Sequence, residues 1–398
     1  MNTQEKTAAE LRVLMVSAFF STHGVGIEVV AGRLAETLCS RWRAKVHWFA
    51  GGPIDELPSS PLPAGLAVER ADSFDPLERR VGLPFPTWSA RSIARLRRRV
   101  READVVHVHD YLYISSLAAI LFARIAAKPV VLTQHIGEIP FQSRSARRAL
   151  AILNRTVGRW ALAAADQVVF VGKPVQEYFT RFVRFRVPPQ LISNGVDHTK
   201  YAPAARAART DQPLRALFVG RFVEKKGIAL LKDCVDLPAT SWTFVGRGPL
   251  NPSRWPKSSA TVNVIEHLRG NEVIPYFQQA DLLVLPSTGE GFPLVVQEAL
   301  ACGTPVLVSQ EVANAFPISD PTCVFAVNLR VADPVAALRE AIRQVVDRRS
   351  ALDLARACAS QLASQWSWEK CGGSYMTIYR NLSMRGASSP GFAATDNR

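Results

Sequence analysis

The stretch 281-DLLVLPSTGEGFPLVVQEALACGTPVLVS-309 decides the fold of this chain. Its apolar run 281–286 predicts a buried strand, the Ser/Thr/Gly segment a loop, and 294–302 a short helix. Pro293 suits the first helical position and Gly303 the residue past the end, while Pro305 prevents resumption before a second strand, 306–309. The unit is therefore β-loop-α-β. A glycine-bearing loop feeds a helix N-terminus at the carboxyl end of a strand, which is where open α/β sheets bind ligands. Glu290 before the helix and Glu298 one turn inside it flank that turn. The pattern suits a ligand carrying both phosphates and hydroxyls.

At 398 residues the chain exceeds one ordinary core, and its 48% hydrophobic content suffices for two. The six cysteines form no CxxC pair and lie in apolar or helical text, as reduced core residues of a cytoplasmic protein do. The first apolar run, 11–20, lacks the flanks of a secretory signal. The run 114–132 is broken by Arg124, Lys128 and Pro129, and predicts a helix followed by a strand instead of a membrane span. Of the net charge of +14, residues 1–200 carry 27 Lys+Arg against 17 Asp+Glu, hence +10. An anionic partner on that half and a merely basic surface both account for it. Nucleic-acid binding is not expected, because interleaved aromatics and a recognised motif are missing.

Elsewhere the same alternation repeats. A strand at 11–17, the loop Ser21-Thr-His-Gly-Val-Gly26 and a helix at 27–40 form a first nucleotide-fold unit. Residues 88–101 (WSARSIARLRRRVR) predict a basic amphipathic helix, which either docks on a sheet or faces an anionic membrane surface. The strand 104–109 ends in His109 and Asp110, and 129–134 ends beside His135, Gly137 and Glu138. A second nucleotide fold begins at 214–219 and runs into Gly220, Arg221, Lys226 and Gly227. The expected division is an N-terminal Rossmann-like domain (1–200), a linker (201–212), a C-terminal Rossmann-like domain (213–366), a final helix (367–383) and a disordered tail (384–398).

Arg221 and Lys226 supply a fork and a point charge for phosphate, and the backbone from Phe292 to Leu294 adds amide donors. Carboxylates are poor phosphate partners, so Glu290 and Glu298 fit hydroxyls, on a transferred sugar and on a ribose.

Glu290 and Glu298, with seven residues between them inside GEGFPLVVQEALACGTPV, resemble the signature of the retaining GT-B glycosyltransferases of group 1, the family of sucrose synthase and bacterial mannosyl- and glucosyltransferases. Gly220-Arg221, Lys226-Gly227, Asn194-Gly195-Val196-Asp197, Gly246-Arg-Gly248-Pro249-Leu250, DVVHVH and TQHIGE fit the same family in order. The resemblance implies an α/β GT-B fold: two doubly wound parallel-sheet domains facing a cleft, with the last helix crossing back onto the first. It implies a nucleotide-diphosphate sugar as donor, held by Gly220, Arg221, Lys226, Gly291, Phe292, Pro293, Leu294 and Glu298, with Gly24 and Gly26 opposite. Catalysis would fall to Glu290, Lys226, Arg221 and His135, with no cofactor and no essential metal. The expected acceptor is a glycan or lipid-linked hydroxyl, reached by a cytoplasmic enzyme that could touch the inner membrane face. A non-catalytic sugar-nucleotide binder or assembly protein on the same fold is the competing class.

Overall fold

A computed structural model describes residues 11–23, 26–53, 57–58, 61–74, 86–138, 143–205, 212–255, 262–268, 270–316 and 320–387. In the N-terminal half the strands are β1 Arg12–Phe19, β2 Lys45–Gly51, β3 Leu66–Arg70, β4 Ser73–Phe74, β5 Thr87–Trp88, β6 Val105–His109, β7 Val130–Gln134, β8 Gln167–Phe170 and β9 Gln190–Leu191. Seven of them form a parallel sheet in the order β3-β2-β1-β6-β7-β8-β9. In the C-terminal half β10 Leu214–Val219, β11 Thr240–Val245, β12 Val262–Ile265, β13 Leu282–Leu285, β14 Val306–Ser309 and β15 Val324–Val327 form a second sheet, β12-β11-β10-β13-β14-β15. Its strands are parallel too. The chain thus has the GT-B architecture of two parallel-sheet α/β units.

Alternation within each strand divides the N-terminal core into two layers. Leu14, Val16, Val106 and Val108 face one layer, and Val13, Met15, Val105 and Val131 the other. A recurrent Ala-Asp pair opens three central strands and pins each to its neighbour. Asp104, Asp166 and Asp281 accept the backbone N–H of Arg12, Val130 and Arg215 at 2.9, 2.9 and 2.8 Å. Asp281 is buried, and its ion pair with Arg215 at 3.2 Å offsets the desolvation of its charge.

Several boundaries depart from the expectation. Trp88 is not helical: it pairs Ser73 in the antiparallel ribbon β4-β5, and Ser89 caps a helix at Ala90–Glu102 by accepting from Ser92 N. That helix is docked through Leu96 and Val100, with Arg95 and Arg99 at 3.6 and 2.7 Å from Glu69 of β3. Residues 146–164 pattern as one helix, and the chain is helical from Arg144 to Ala164, as Arg144–Leu153 and Arg159–Ala164 with a π-helical segment Asn154–Gly158 between them. Pro293 caps the helix Leu294–Ala301 from outside instead of occupying its first position. At its other end Gly303 N and Thr304 N donate to Leu300 O and Ala299 O, a Schellman closure.

The final helix runs from Trp368 to Ala387, four residues beyond the expected end at 383, and residues 388–398 lie outside the described set. It lies on the first sheet's helix Gly26–Trp42, where Gly372 and Gly373 admit Thr37 and Trp42. Cys371, Tyr375, Met376, Ile378, Tyr379 and Leu382 join the core of the N-terminal half. Entry to the helix is set by a bridge between Val196 and Ser367. A Cβ on Gly195 would fall 2.3 Å from the Trp368 amide nitrogen.

Gly195→Ala should therefore lower the thermal midpoint, at a cost of about 1–3 kcal/mol for the overpacked crossing. Differential scanning calorimetry checks this, and an unchanged midpoint would refute a rigid seat for the final helix.

Candidate functional site

In each sheet the strand order reverses beside its first strand, between β1 and β6 and between β10 and β13. Loops leaving the carboxyl ends diverge at such a point and open a crevice. The loop after β10 carries Gly220 and Arg221 into a tight turn at Glu224–Lys226, closed by Gly227 at φ 70°. A Cβ on Gly227 would lie 2.1 Å from Pro286 O, so glycine alone lets this turn rest on the exit of β13. Thr288 N donates to Lys225 O at 3.0 Å across the same contact.

That packing places Lys226 Nζ 3.0 Å and Lys225 Nζ 4.0 Å from Glu290 Oε1. Burial alone would raise the Glu290 carboxyl, but Lys226, Lys225 and Arg221 outweigh it and bring the group down to about 2. Glu290 is consequently an anion that accepts hydrogen bonds and donates none. Burial lowers the pKa of Lys225, against the pull of Glu290 and of Asp110 from the facing half. Arg221, exposed at the rim, completes a group of three cations around one carboxylate. Sequence reasoning passed over Lys225; the signal was the Lys225-Lys226 doublet, which does not reveal that both side chains point inward.

Glu298 occupies different surroundings. Burial raises its carboxyl to about 7, opposed by a hydrogen bond from Tyr201 and by the charge of Arg33 on the helix Gly26–Trp42. The two glutamates are thus electrically unlike: one is held ionised by cations, the other is poised near neutrality.

The two halves touch beside Glu290. A Cβ on Gly291 would lie 2.6 Å from His135 O, and one on Gly172 2.3 Å from Gly291 O, so bare backbone is required on both sides. Asn194 Nδ2 donates to Phe292 O at 3.3 Å and Gln297 Nε2 to Asn194 O at 2.6 Å. Phe292 turns its ring inward onto Phe316 and Trp366, so its main chain is the part turned to the crevice. Leu294 follows it as the first helical residue, while Pro293 brings no N–H, which corrects the expected row of amides.

His135 is buried and its Nε2 lies 3.1 Å from His109 Nδ1. Burial lowers its pKa to about 3, leaving the ring neutral. Asp110, absent from the expected site, is fully buried at φ 63°, and one oxygen, Oδ2, has no hydrogen-bond partner among the described residues. Burial raises its carboxyl to about 6, against hydrogen bonds from Gln134 and the backbone and the charge of Lys225. The structure therefore brings together Lys226, Glu290, Gly291 and His135, with Lys225 and Asp110 added. Gly26 opens its helix with nothing within 4 Å of where a Cβ would sit, and Gly24 lies outside the described residues.

Two family models divide the chain. The model for Glycosyltransferase Family 4 matches residues 25–200, and that for Glycosyl transferases group 1 matches residues 213–348. Glycogen synthase of Mycobacterium tuberculosis is 28% identical over 333 residues, covering 78% of this chain and 79% of that protein. D-inositol 3-phosphate glycosyltransferase 1 of Catenulispora acidiphila is 28% identical over 405 residues, covering 92% and 93%. Among solved structures, sucrose-phosphate synthase of Thermosynechococcus elongatus superposes with a TM-score of 0.73 at 20% identity, over 94% of this chain and all of that one (100%). HepE of Anabaena in complex with UDP and glucose gives 0.69 at 16% identity, over 93% and 100%.

The poise of Glu298 has a measurable consequence. Its folded pKa of about 7 lies above the ordinary 4.5, so its contribution to stability is full below pH 4.5 and is lost as pH rises through about 7. Glu298→Gln removes that loss. The variant should gain on the wild type between about pH 4.5 and 8, by on the order of 1–3 kcal/mol, in thermal midpoints measured across the range. Parallel curves would contradict the assignment.

Proposed function

Because the chain belongs to the Glycosyl transferases group 1 family, we propose that it is a retaining glycosyltransferase. In this reading it moves a hexose-type sugar from a nucleotide-diphosphate sugar to a hydroxyl of a glycan or glycolipid acceptor in cell-envelope synthesis. The observation that carries the reading is the pair of ion contacts from Lys226 and Lys225 to Glu290, reinforced by the charge of Arg221, at the crevice where the second sheet reverses. Three cations around one carboxylate suit a diphosphate beside a hydroxyl-bearing ring. The complexes of Anabaena HepE with UDP, UDP and glucose, and UDP-glucose support a uridine diphosphate sugar as the first donor to try.

When the donor enters, Lys226 exchanges Glu290 for phosphate oxygen, and Lys225 and Arg221 spread the remaining charge of the leaving diphosphate. Glu290, held ionised, accepts hydrogen bonds from the hydroxyls of the moving sugar. Glu298 takes the ribose hydroxyls, and the first amides of Leu294–Ala301 add donors at the phosphate. The acceptor hydroxyl attacks from the face the diphosphate leaves, and a phosphate oxygen takes its proton, so that configuration is retained. These residues accomplish the charge stabilisation without an essential metal.

The acceptor side is read from a surface. The helix Arg144–Leu153 buries none of its residues and presents Arg144, Arg147 and Arg148 to solvent, with Ile152 64% exposed. It is held instead by Asn154, whose Nδ2 donates to Gly137 O and Tyr178 OH at 3.3 and 2.9 Å. Trp160 is exposed on the helix Arg159–Ala164 that continues it, and Leu121 and Ile125 on the helix Ile114–Ile125 packed against that continuation. No helix among the described residues is long and apolar enough to cross a membrane. A basic face studded with apolar side chains fits peripheral contact with an anionic bilayer that holds the acceptor.

Lys226→Ala and Glu290→Ala should each cut transfer by ~10²-fold or more with an unchanged circular dichroism spectrum. A panel of UDP-, GDP- and ADP-sugars, scored by thermal shift and by nucleotide release on adding acceptor, names the donor. Binding without release would favour the non-catalytic sugar-nucleotide binder. Replacing Arg144, Arg147 and Arg148 with Gln should weaken co-sedimentation with phosphatidylglycerol vesicles by roughly tenfold or more, at about 1 kcal/mol per basic residue, and leave neutral vesicles unaffected.

A further inference from the structure

We propose that His135 is locked as its Nδ1–H tautomer, a hydrogen-bond donor to a ligand oxygen in the cleft, by a buried chain of side chains that starts on the final helix. His107, His109, Thr133, Tyr375 and Tyr379 are positioning residues in that chain. The role in sugar transfer rests on the function proposed above; the tautomer does not.

His107 and His109 share one face of β6, two residues apart, and Thr133 stands opposite His109 on β7. Both ring nitrogens of His107 are occupied. Nε2 is 2.8 Å from Thr133 Oγ1, and Nδ1 is 2.7 Å from Tyr379 OH. Thr133 Oγ1 is in turn 2.8 Å from Tyr375 OH. A ring fixed at both ends is a stable platform, and His109 packs on it with centroids 4.3 Å apart. His109 then reaches His135 through Nδ1, and the two rings stack at 24°.

The proton can be assigned from the group left over. Each imidazole is neutral, because burial lowers the pKa of His107 and His135 to about 3 and that of His109 well below the ordinary value. A neutral ring has one donor nitrogen and one acceptor. His109 Nε2 is buried without a hydrogen-bond partner among the described residues. If His135 Nε2–H were the donor in the shared hydrogen bond, the proton of His109 would sit on that orphan nitrogen as a buried, unpaired N–H. If His109 Nδ1–H is the donor, the orphan is a bare lone pair. Buried orphan donors are the rarer kind, so the second arrangement wins. His135 Nε2 is then the acceptor, and its proton is carried on Nδ1.

The arrangement excludes His135 as the base that takes the acceptor proton, since its lone-pair nitrogen is already committed to His109. It also ties the cleft to the seat of the final helix. Tyr375 and Tyr379 lie on the helix that opens just after Ser367, whose bridge to Val196 marks the point where the chain leaves the second half for the first.

The test is ¹⁵N NMR of the full chain labelled in histidine, with the His135 signals identified by their loss in His135→Gln. The expected result is a protonated Nδ1 and a bare Nε2 in the wild type. His109→Leu should mix the two tautomers and lower kcat for sugar transfer about tenfold with donor KM little changed. His109→Asn, whose amide reaches about where Nδ1 did, should restore both. Tyr379→Phe, which removes one oxygen without opening a cavity, should broaden the His107 and His135 signals and lower kcat severalfold at constant KM. A protonated Nε2 in the wild type would overturn the proposal, as would tautomers and kcat indifferent to both His109→Leu and Tyr379→Phe. Because the tautomer is read without turnover, a chain with Nδ1–H in His135 but no transfer from any nucleotide sugar would bear out the assignment and sink the sugar-transfer reading.

Discussion

Backbone lies on backbone where Gly291 meets His135 and Gly172, and no side chain fits between them. That approach brings Glu290, one residue away, to the facing half of the molecule. The loop that delivers Gly291 is itself pinned by the turn at Gly227, which rests on Pro286. Three glycine contacts therefore decide that the cations of the β10 loop, the carboxylate of the β13 loop and the histidine just past β7 share one crevice.

Electrostatics then differentiates groups that a sequence presents as equals. Glu290 and Glu298 are the same residue type on the same short segment, yet one carboxyl falls to about 2 and the other rises to about 7. Both are buried; the difference is the partner set, three cations for Glu290 against a phenol and a more distant guanidinium for Glu298. An anion fixed beside lysines exchanges partners when phosphate arrives, whereas a carboxyl near its midpoint can meet hydroxyls as donor or acceptor. The final helix contributes differently. Its tyrosines enter the N-terminal core and hold histidines whose charged forms burial forbids, so its part in the site is geometric.

The basic segment 88–101 reads either as a helix docked on a sheet or as a membrane-facing one, and comparison with the helix Arg144–Leu153 shows what separates the two. In the first, Arg95 and Arg99 find Glu69 on β3 and the helix docks through Leu96 and Val100. The second is the one with no buried residue. Charge density along a sequence does not say which charges meet partners across 26 or 30 positions.

The sequence by itself determined the alternation of strand and helix, the two parallel sheets and the position of the ligand edge. Those follow from local periodicity and from glycine and proline at element ends. It also marked Lys226, Glu290 and His135, because each lies just past the carboxyl end of a strand. Only the tertiary structure decided that Lys225 points inward beside Lys226, that Asp110 is buried with an oxygen to spare, and that Tyr379 reaches His107 across 272 positions. A side chain's direction and its partners across the chain depend on the packing of whole layers, and burial and net local charge, which set protonation, exist only once those layers have closed.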